Sequence, residues 1–394
     1  MVDPLDVATE HQARARMVLR AALSSAPSHA YLFRGPRGAG KAAAARAFAA
    51  EILAGGAADP KDARRRALLD PSPHPDLVWL RPRGAQHMVE EVREKVIRAS
   101  AYRPFEAEKR VFVIEAAEQM RDESQNALLK TLEEPPAFVH ILLLTAEPTQ
   151  LLETIASRCQ PIDFVPIPPE AVEAQLGDAG SADEIATAAR LAGGDVARAR
   201  FLLSESGQAL RAAAQALGAE DGDPPDATPR AGMVASDGAS GASRSASAES
   251  PPAAFGAPWR RLLETAELAG EDAEATARET LEDDADAGVK RSAKDITDEA
   301  KRMGRRRRTE ILDFGLELVA RWYRDLAASA SGAAEVVYNL DRLGELQRRG
   351  AKVDSGRYRR AVELVEDTRR RLELNVSEEL ALEALAFRLG RVFS

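Results

Sequence analysis

Tyr31-Leu32-Phe33-Arg34-Gly35-Pro36-Arg37-Gly38-Ala39-Gly40-Lys41-Ala42 is the stretch whose reading decides the fold. An apolar, β-prone triplet enters a glycine-rich turn, and the turn opens onto the helix-prone run Lys41 to Leu53. Glycines at Gly35, Gly38 and Gly40 let successive backbone N–H groups curl around an anion, while Lys41 and the helix N-terminus supply positive potential. Working outward, four further short apolar runs follow: Leu77-Val78-Trp79-Leu80, Val111-Phe112-Val113-Ile114, Ile141-Leu142-Leu143-Leu144 and Ile162-Asp163-Phe164. Continuous rather than alternating hydrophobicity is what a strand covered on both faces requires. Helical patterns over Lys41 to Leu53, Val89 to Ser100 and Asp122 to Glu133 lie between the runs. The pattern predicts an α/β P-loop domain with a parallel sheet over residues 1–165.

Two positions of the phosphate chemistry depart from what hydrolysis needs. The residue after Lys41, which normally offers Mg²⁺ a hydroxyl, is Ala42. At the end of the third apolar run, where an Asp-Glu pair would hold the metal and orient water, the chain has Glu115-Ala116. Glu115 retains a carboxylate, with an extra methylene, and Ala116 has no group to polarise water. Turnover requires the metal clamp and an oriented water together, so these losses argue against intrinsic ATP hydrolysis. Weak binding of ATP or ADP and a loop kept only for its tight turn both remain open.

Composition sets outer bounds. The 394 residues are 45% hydrophobic and 30% charged, enough for two or three globular domains with their own cores. Asp3, Asp6, Glu10 and His11 interrupt any apolar leader-like stretch at the start, and no run is apolar enough to span a bilayer, so a cytoplasmic protein without membrane contact is expected. A single cysteine, Cys159, excludes an intrachain disulfide and a four-cysteine zinc site; no metal site is expected. A formal net charge of −9 excludes coating nucleic acid by bulk charge, leaving local basic patches.

Beyond Pro166-Ile167-Pro168-Pro169 the strand signals stop. Ser181 to Ser204, broken at Gly193-Gly194, reads as a small helical lid within residues 166–217. Residues 218–256 turn to Gly, Ser, Ala, Pro and Asp and read as a disordered linker. Residues 257–394 regain helical periodicity and read as an all-helical domain. There Leu312, Leu316, Val319, Tyr323 and Leu326 share one face and Leu382, Leu385 and Leu389 another; some of these side chains are expected to face partner subunits. Asn375 with Glu378 offers a capping box for the last helix. Arg305-Arg306-Arg307-Arg308 reads as a solvated, partly mobile helix end, with a phosphate contact to nucleic acid as the alternative.

Several strings stand in the order of a known family: Ser28-His29-Ala30-Tyr31-Leu32-Phe33, the P-loop, His74-Pro75-Asp76-Leu77, Asn126-Ala127-Leu128-Leu129-Lys130-Thr131-Leu132-Glu133-Glu134-Pro135-Pro136, and Ser157-Arg158-Cys159. Through about residues 8 to 205 the chain resembles bacterial clamp-loader subunits of the AAA+ family, the delta-prime and gamma/tau kinds of DNA polymerase III. More weakly, Trp322-Tyr323-Arg324-Asp325-Leu326 resembles their collar. The resemblance implies an AAA+ domain, a lid and a helical collar. It assigns Gly35, Gly38, Gly40, Lys41, Glu115 and Thr145 to the nucleotide side, Thr145 as sensor 1, and makes Arg158 an arginine finger toward a neighbouring subunit's ATP. An internal salt bridge is the competing reading of Arg158. The four zinc-binding cysteines of many members are absent, so no zinc is expected, and the sensor 2 arginine position holds Ala197, with Arg198 one place late. Losses at Ala42, Ala116 and Ala197 beside an intact Ser157-Arg158-Cys159 fit the delta-prime kind, a non-hydrolysing stator in DNA replication. Its implied partners are gamma/tau and delta subunits and, through the complex, the sliding clamp and primer-template DNA. A working gamma/tau-like ATPase and a general AAA+ motor of recombination or repair are the rival readings.

Overall fold

The computed structural model describes residues 3–82, 86–218, 258–286, 292–372 and 376–393. The residues expected to form a linker fall almost wholly outside the described residues, as does Asn375 of the expected capping box. Five parallel strands, β1 (Ala30–Arg34), β2 (Leu77–Leu80), β3 (Arg110–Ile114), β4 (Val139–Thr145) and β5 (Gln160–Asp163), form one sheet in the order β2-β3-β4-β1-β5. Each of the five apolar runs becomes a strand. Leu32 stands opposite Leu143 and Pro161, Phe112 opposite Ile141, and Trp79 opposite Val113.

Alternate residues of each strand go to opposite faces of the sheet. Tyr31, Phe33, Val111, Val113, Leu142 and Leu144 meet Leu5, Leu19, Phe48 and Leu53 on one side. These come from α1 (Pro4–Ala8), α2 (Ala13–Ser24) and α3 (Lys41–Ala54), with α4 (Pro60–Leu68) adding Ala67. Leu32, Phe112, Ile114, Ile141 and Leu143 meet Val92, Val96, Leu128, Leu132 and Ile155 on the other. That layer is built by α5 (Val89–Val92), α6 (Asp122–Glu133) and α7 (Glu153–Ala156). The two-sided burial explains the unbroken hydrophobicity of the strands; each large side chain so buried contributes about 2 kcal/mol.

The helix expected over Val89 to Ser100 is less regular than its pattern. After α5 the chain widens into a π-helical turn over Arg93–Arg98 and tightens into a 3-10 turn over Ala99–Ala101. Ser100 Oγ donates to the carbonyl of Ile97 and Arg110 donates to that of Ala99, which closes the segment locally.

The lid consists of α8 (Pro169–Leu176), α9 (Ala182–Ala192) and α10 (Val196–Leu203), packed through Val172, Leu176, Ile185, Ala189 and Ala199. Ser181 and Glu184 form a reciprocal capping box at the start of α9. Gly194, at φ 94°, lies so close to Ile167 that a Cβ would come within 2.8 Å of its backbone nitrogen.

The chain divides into two compact units, residues 1–203 with 272–306 and residues 204–271 with 307–394. This division does not follow the expected boundaries at 217 and 257. The remaining helices are α11 (Glu205–Leu217), α12 (Pro258–Asp286), α13 (Ala293–Ala330), α14 (Leu343–Gly350), α15 (Ser355–Leu372) and α16 (Glu378–Phe393). In the second unit Leu312, Leu316, Val319, Tyr323, Leu326, Leu382, Leu385 and Leu389 are all buried, at 2% exposure or less. The expectation that some of them face partners is therefore corrected: they form that unit's own core. Asp325 of the collar-like string is buried too, and its carboxylate accepts from the backbone N–H groups of Tyr338 and Asn339.

The arginine run is also corrected. It lies inside α13, not at a helix end, and its members are engaged: Arg306 donates to the Pro82 carbonyl at 3.1 Å, and Arg308 pairs with Glu378 at 2.6 Å and Glu267 at 3.3 Å. Among the described residues no helix is long and apolar enough to cross a membrane.

Candidate functional site

The crevice at the carboxyl ends of β1, β3 and β4 gathers the candidate residues, as expected where strand order reverses in an open parallel sheet. Gly35, Gly38 and Gly40 have φ of 151°, 75° and 84°, which favour glycine. A Cβ at Gly35 would stand 2.3 Å from the carbonyl oxygen of Phe164. At Gly38 it would strike Asp195 of the lid, at 2.3 Å from its Cβ and 2.4 Å from its Cα. The P-loop glycines thus serve close packing as well as turn geometry. Lys41 folds back on the loop, and its ammonium donates to the carbonyls of Gly35 at 2.5 Å and Pro36 at 2.7 Å. Burial pushes that ammonium down to about 8, with Glu118 the largest opposing influence.

On the metal side, Glu115 does not present a free carboxylate. Its Oε2 accepts from Arg81 Nε at 2.6 Å and from the Trp79 indole at 3.2 Å. Arg81 also grips Asp70 at 2.6 Å, Asp70 pairs with Arg46 at 3.0 Å, and the Arg46 guanidinium lies 4.2 Å from the Trp79 ring centre. Two arginines therefore neutralise the acids of this corner. Ala116 takes a left-handed conformation, φ 48°, as the chain leaves β3 for a 3-10 turn. The turn is held by His87, whose Nε2 lies 2.7 Å from the Glu115 carbonyl and whose backbone N–H donates to the Gln119 carbonyl. Burial lowers the His87 pKa and favours the neutral ring.

Thr145 ends β4, buried. Its hydroxyl accepts from the Glu147 N–H at 3.0 Å, and its carbonyl accepts from the Gly35 N–H at 3.2 Å. It is joined to the P-loop through backbone. The neighbouring Ala146 N–H donates to Oε1 of Glu118 at 3.3 Å, while Oε2 of the same side chain is buried with no hydrogen-bond partner. Ala197 and Arg198 both lie in the first turn of α10, where the Asp195 carboxylate accepts from their backbone N–H groups at 2.9 and 3.1 Å.

Arg158 stands apart from this crevice's hydrogen-bond network. Its guanidinium donates to Glu133 Oε1 at 2.7 Å and to the Thr154 carbonyl at 2.8 Å, with 35% of the side chain exposed. Next to it Cys159 is buried, and its thiol is pushed up to about 12, which makes it inert.

Four positions escaped the sequence reading. Gln12 is buried and staples the loop: its amide donates to the carbonyls of Ala39 and Val165 and accepts from the Val165 N–H. Glu118 and Asp195, both polar and both beside glycine- or alanine-rich turns, carry no spacing signal that marks them. Asp76, quoted only as part of a string, is fully buried and accepts from the N–H groups of Phe105, Glu106 and Ala107 at 2.7 to 3.0 Å. It fixes the turn between the π-helical segment and β3.

The residues present fit a phosphate only in part, since the loop and Lys41 are in place while Ala42 offers no hydroxyl, Glu115 is bound to Arg81 and the Cα and Cβ of Asp195 in the lid pack against Gly38. Fold and site together define an AAA+ type P-loop domain with a helical lid. Residues 11–168 match the family described as DNA polymerase III, delta subunit. The DNA polymerase III subunit delta' of Bacillus subtilis is 36% identical over 154 residues, 38% of this chain and 46% of that protein. The delta' subunit of Pseudomonas aeruginosa is 39% identical over 139 residues, 34% of this chain and 42% of that protein. The gamma/tau subunit of Mycobacterium tuberculosis is 35% identical over 153 residues, 38% of this chain and 26% of that protein. The chain thus spans less than half the length of these relatives. Over the matched residues the chain is similar to clamp-loader subunits, of the delta' and the gamma/tau kinds alike.

Proposed function

We propose that this chain is a non-hydrolysing delta-prime-type subunit of a DNA polymerase III clamp loader, working in DNA replication beside gamma/tau and delta subunits. On this reading Arg158 acts in trans on ATP held by an adjacent gamma/tau subunit, and the complex as a whole engages the sliding clamp and primer-template DNA. The single observation that carries the reading is the asymmetry between the chain's two chemical edges. On its own nucleotide side Ala42 and Ala116 lack the needed groups and Glu115 is committed to Arg81 and Trp79. At the other edge Arg158 is held by a half-exposed pair with Glu133 and one hydrogen bond to the Thr154 carbonyl. Such a surface pair is worth about 0 to 1 kcal/mol, little enough for the guanidinium to exchange Glu133 for a phosphoryl group. A guanidinium there stabilises the charge that spreads over the transferring phosphoryl oxygens, and fingers of this kind raise rates by roughly 10³ to 10⁵.

The test is the loader reconstituted with this chain or with Arg158→Ala or Arg158→Lys. Assembly is followed by gel filtration and ATP hydrolysis with clamp and DNA present. Both variants should assemble, and total hydrolysis should fall in part, because one site depends on Arg158; Lys should rescue poorly because it lacks the planar fork. Unchanged hydrolysis by an assembled Arg158→Ala complex would leave Arg158 as a salt-bridge residue. Hydrolysis by the isolated chain at the rate of gamma/tau would favour the ATPase reading instead.

A further inference from the structure

We propose that the P-loop of this chain is charged from within: Asp195 of the lid, seated on Gly38, and Glu118, with one buried oxygen unpartnered, act as resident anions that select against nucleotide phosphates. The proposal deepens the reading of the chain as a non-hydrolysing subunit and rests on it only for its biological purpose.

Three contacts carry the argument. The first is the seat of Asp195, whose Cα and Cβ lie so close to Gly38 that no side chain fits there. A P-loop attracts phosphate through converging N–H groups and positive potential, and Gly38 sits at the centre of that curl. An aspartate packed on it brings negative charge within Coulombic reach of Lys41. Its carboxylate is held there by the N–H groups of Ala197 and Arg198, so it is an ordered part of the α10 terminus.

The second is Glu118, between the end of β3 and the end of β4. Ala146 satisfies one oxygen; the other is buried without a partner. A buried carboxylate oxygen is costly to leave unpaired, and Glu118 is the acidic group that most favours the charged Lys41 ammonium. The third is Lys41 itself, with two of its three donors on the carbonyls of Gly35 and Pro36. The cation of the loop is thereby answered by groups of the chain, and an incoming phosphate meets two carboxylates before it meets a free ammonium. Like charges brought together in a partly desolvated crevice repel strongly. Admission of a phosphate then requires α10 to leave Gly38, which makes the lid the element that controls this site.

The experiment measures binding of a fluorescent ADP analogue to the full chain by anisotropy, with EDTA and separately with Mg²⁺. Asp195→Ser keeps the helix cap while removing the charge, and Glu118→Gln keeps shape and hydrogen bonding at the second position. The double variant should bind at least about tenfold tighter than the parent, an effect of the size that one removed like charge exerts at such a site. Adding Lys41→Met should abolish the gain, which locates the binding in the P-loop. A parent that binds as tightly as the double variant, or a gain that survives Lys41→Met, would overturn the proposal. If Asp195→Ser unfolds the lid, Glu118→Gln alone should still tighten binding several-fold, and its failure to do so would count equally against the idea. None of these outcomes touches the Arg158 experiment, which reads hydrolysis at a neighbour's site, so the two readings fail separately.

Discussion

Cys159 shows how a neighbourhood decides the chemistry of a side chain. It follows Arg158 directly, yet it is 5% exposed and belongs to the apolar layer with Leu128, Ile141 and Ile155. Its thiol keeps its proton to about 12, against about 9 for the ordinary group. Because the folded pKa is raised above the unfolded one, the stabilising contribution is fully present below pH 9 and is lost as pH rises toward 12. Chemical denaturation between pH 8 and 11 should show the parent losing more stability with rising pH than Cys159→Ala. A thiol reagent at pH 8 should label the unfolded chain and leave the native one unlabelled. Equal pH dependence in parent and variant, or rapid native labelling, would contradict this picture. At the same scale, Arg158 and Glu115 show that a motif residue acquires its role from its partner: one pairs with a half-exposed glutamate, the other with an arginine and a partly buried indole.

Helix α16 carries two stripes of opposite fate. Leu382, Leu385 and Leu389 are buried completely, while Leu380 and Phe387, at 63% and 69% exposure, lie on another face with the exposed Ala384 between them. Spacings of four and three residues align this second stripe along the helix. If the second unit is a collar, the outer stripe is the part available to a partner. Leu380→Ser with Phe387→Ser should leave the unfolding midpoint of the chain nearly unchanged and weaken assembly with gamma/tau and delta on gel filtration. Leu385→Ala should do the reverse first, costing about 2 to 5 kcal/mol of stability through the cavity it opens. Assembly unaffected by the double change would remove α16 from the interface. The periodicity of the helix was plain in the sequence, but two apolar stripes on one helix look alike until one of them is covered. The same holds for Val89 to Ser100, whose helical pattern concealed a π-helical turn.

Across the whole molecule the two compact units have separate cores, one around Phe48, Phe33 and Phe112 and the other around Trp322, Tyr323 and Leu389. Each should respond to its own mutations. In a Trp79→Phe background, where Trp259 and Trp322 of the second unit are the remaining fluorophores, Phe48→Ala should lower the unfolding midpoint of the first unit, a loss of about 3 to 5 kcal/mol, while the fluorescence transition stays in place. Calorimetry and tryptophan fluorescence on the same variant decide this. A single transition shifted equally by both probes would mean that the units unfold as one.

The sequence by itself determined the parallel sheet, the P-loop and the missing hydroxyl and water-orienting groups at Ala42 and Ala116. Those follow from local residue type: continuous apolar runs, glycines where φ must be positive, and alanines that bring no chemistry wherever the chain places them. Only the tertiary structure decided what Glu115 binds, that Asp195 rests on Gly38, that Arg158 holds Glu133, and which leucines of the C-terminal helices are core. Each of these is a contact between segments far apart in the chain. A side chain's type states what it is able to bind, while packing selects which partner is within reach.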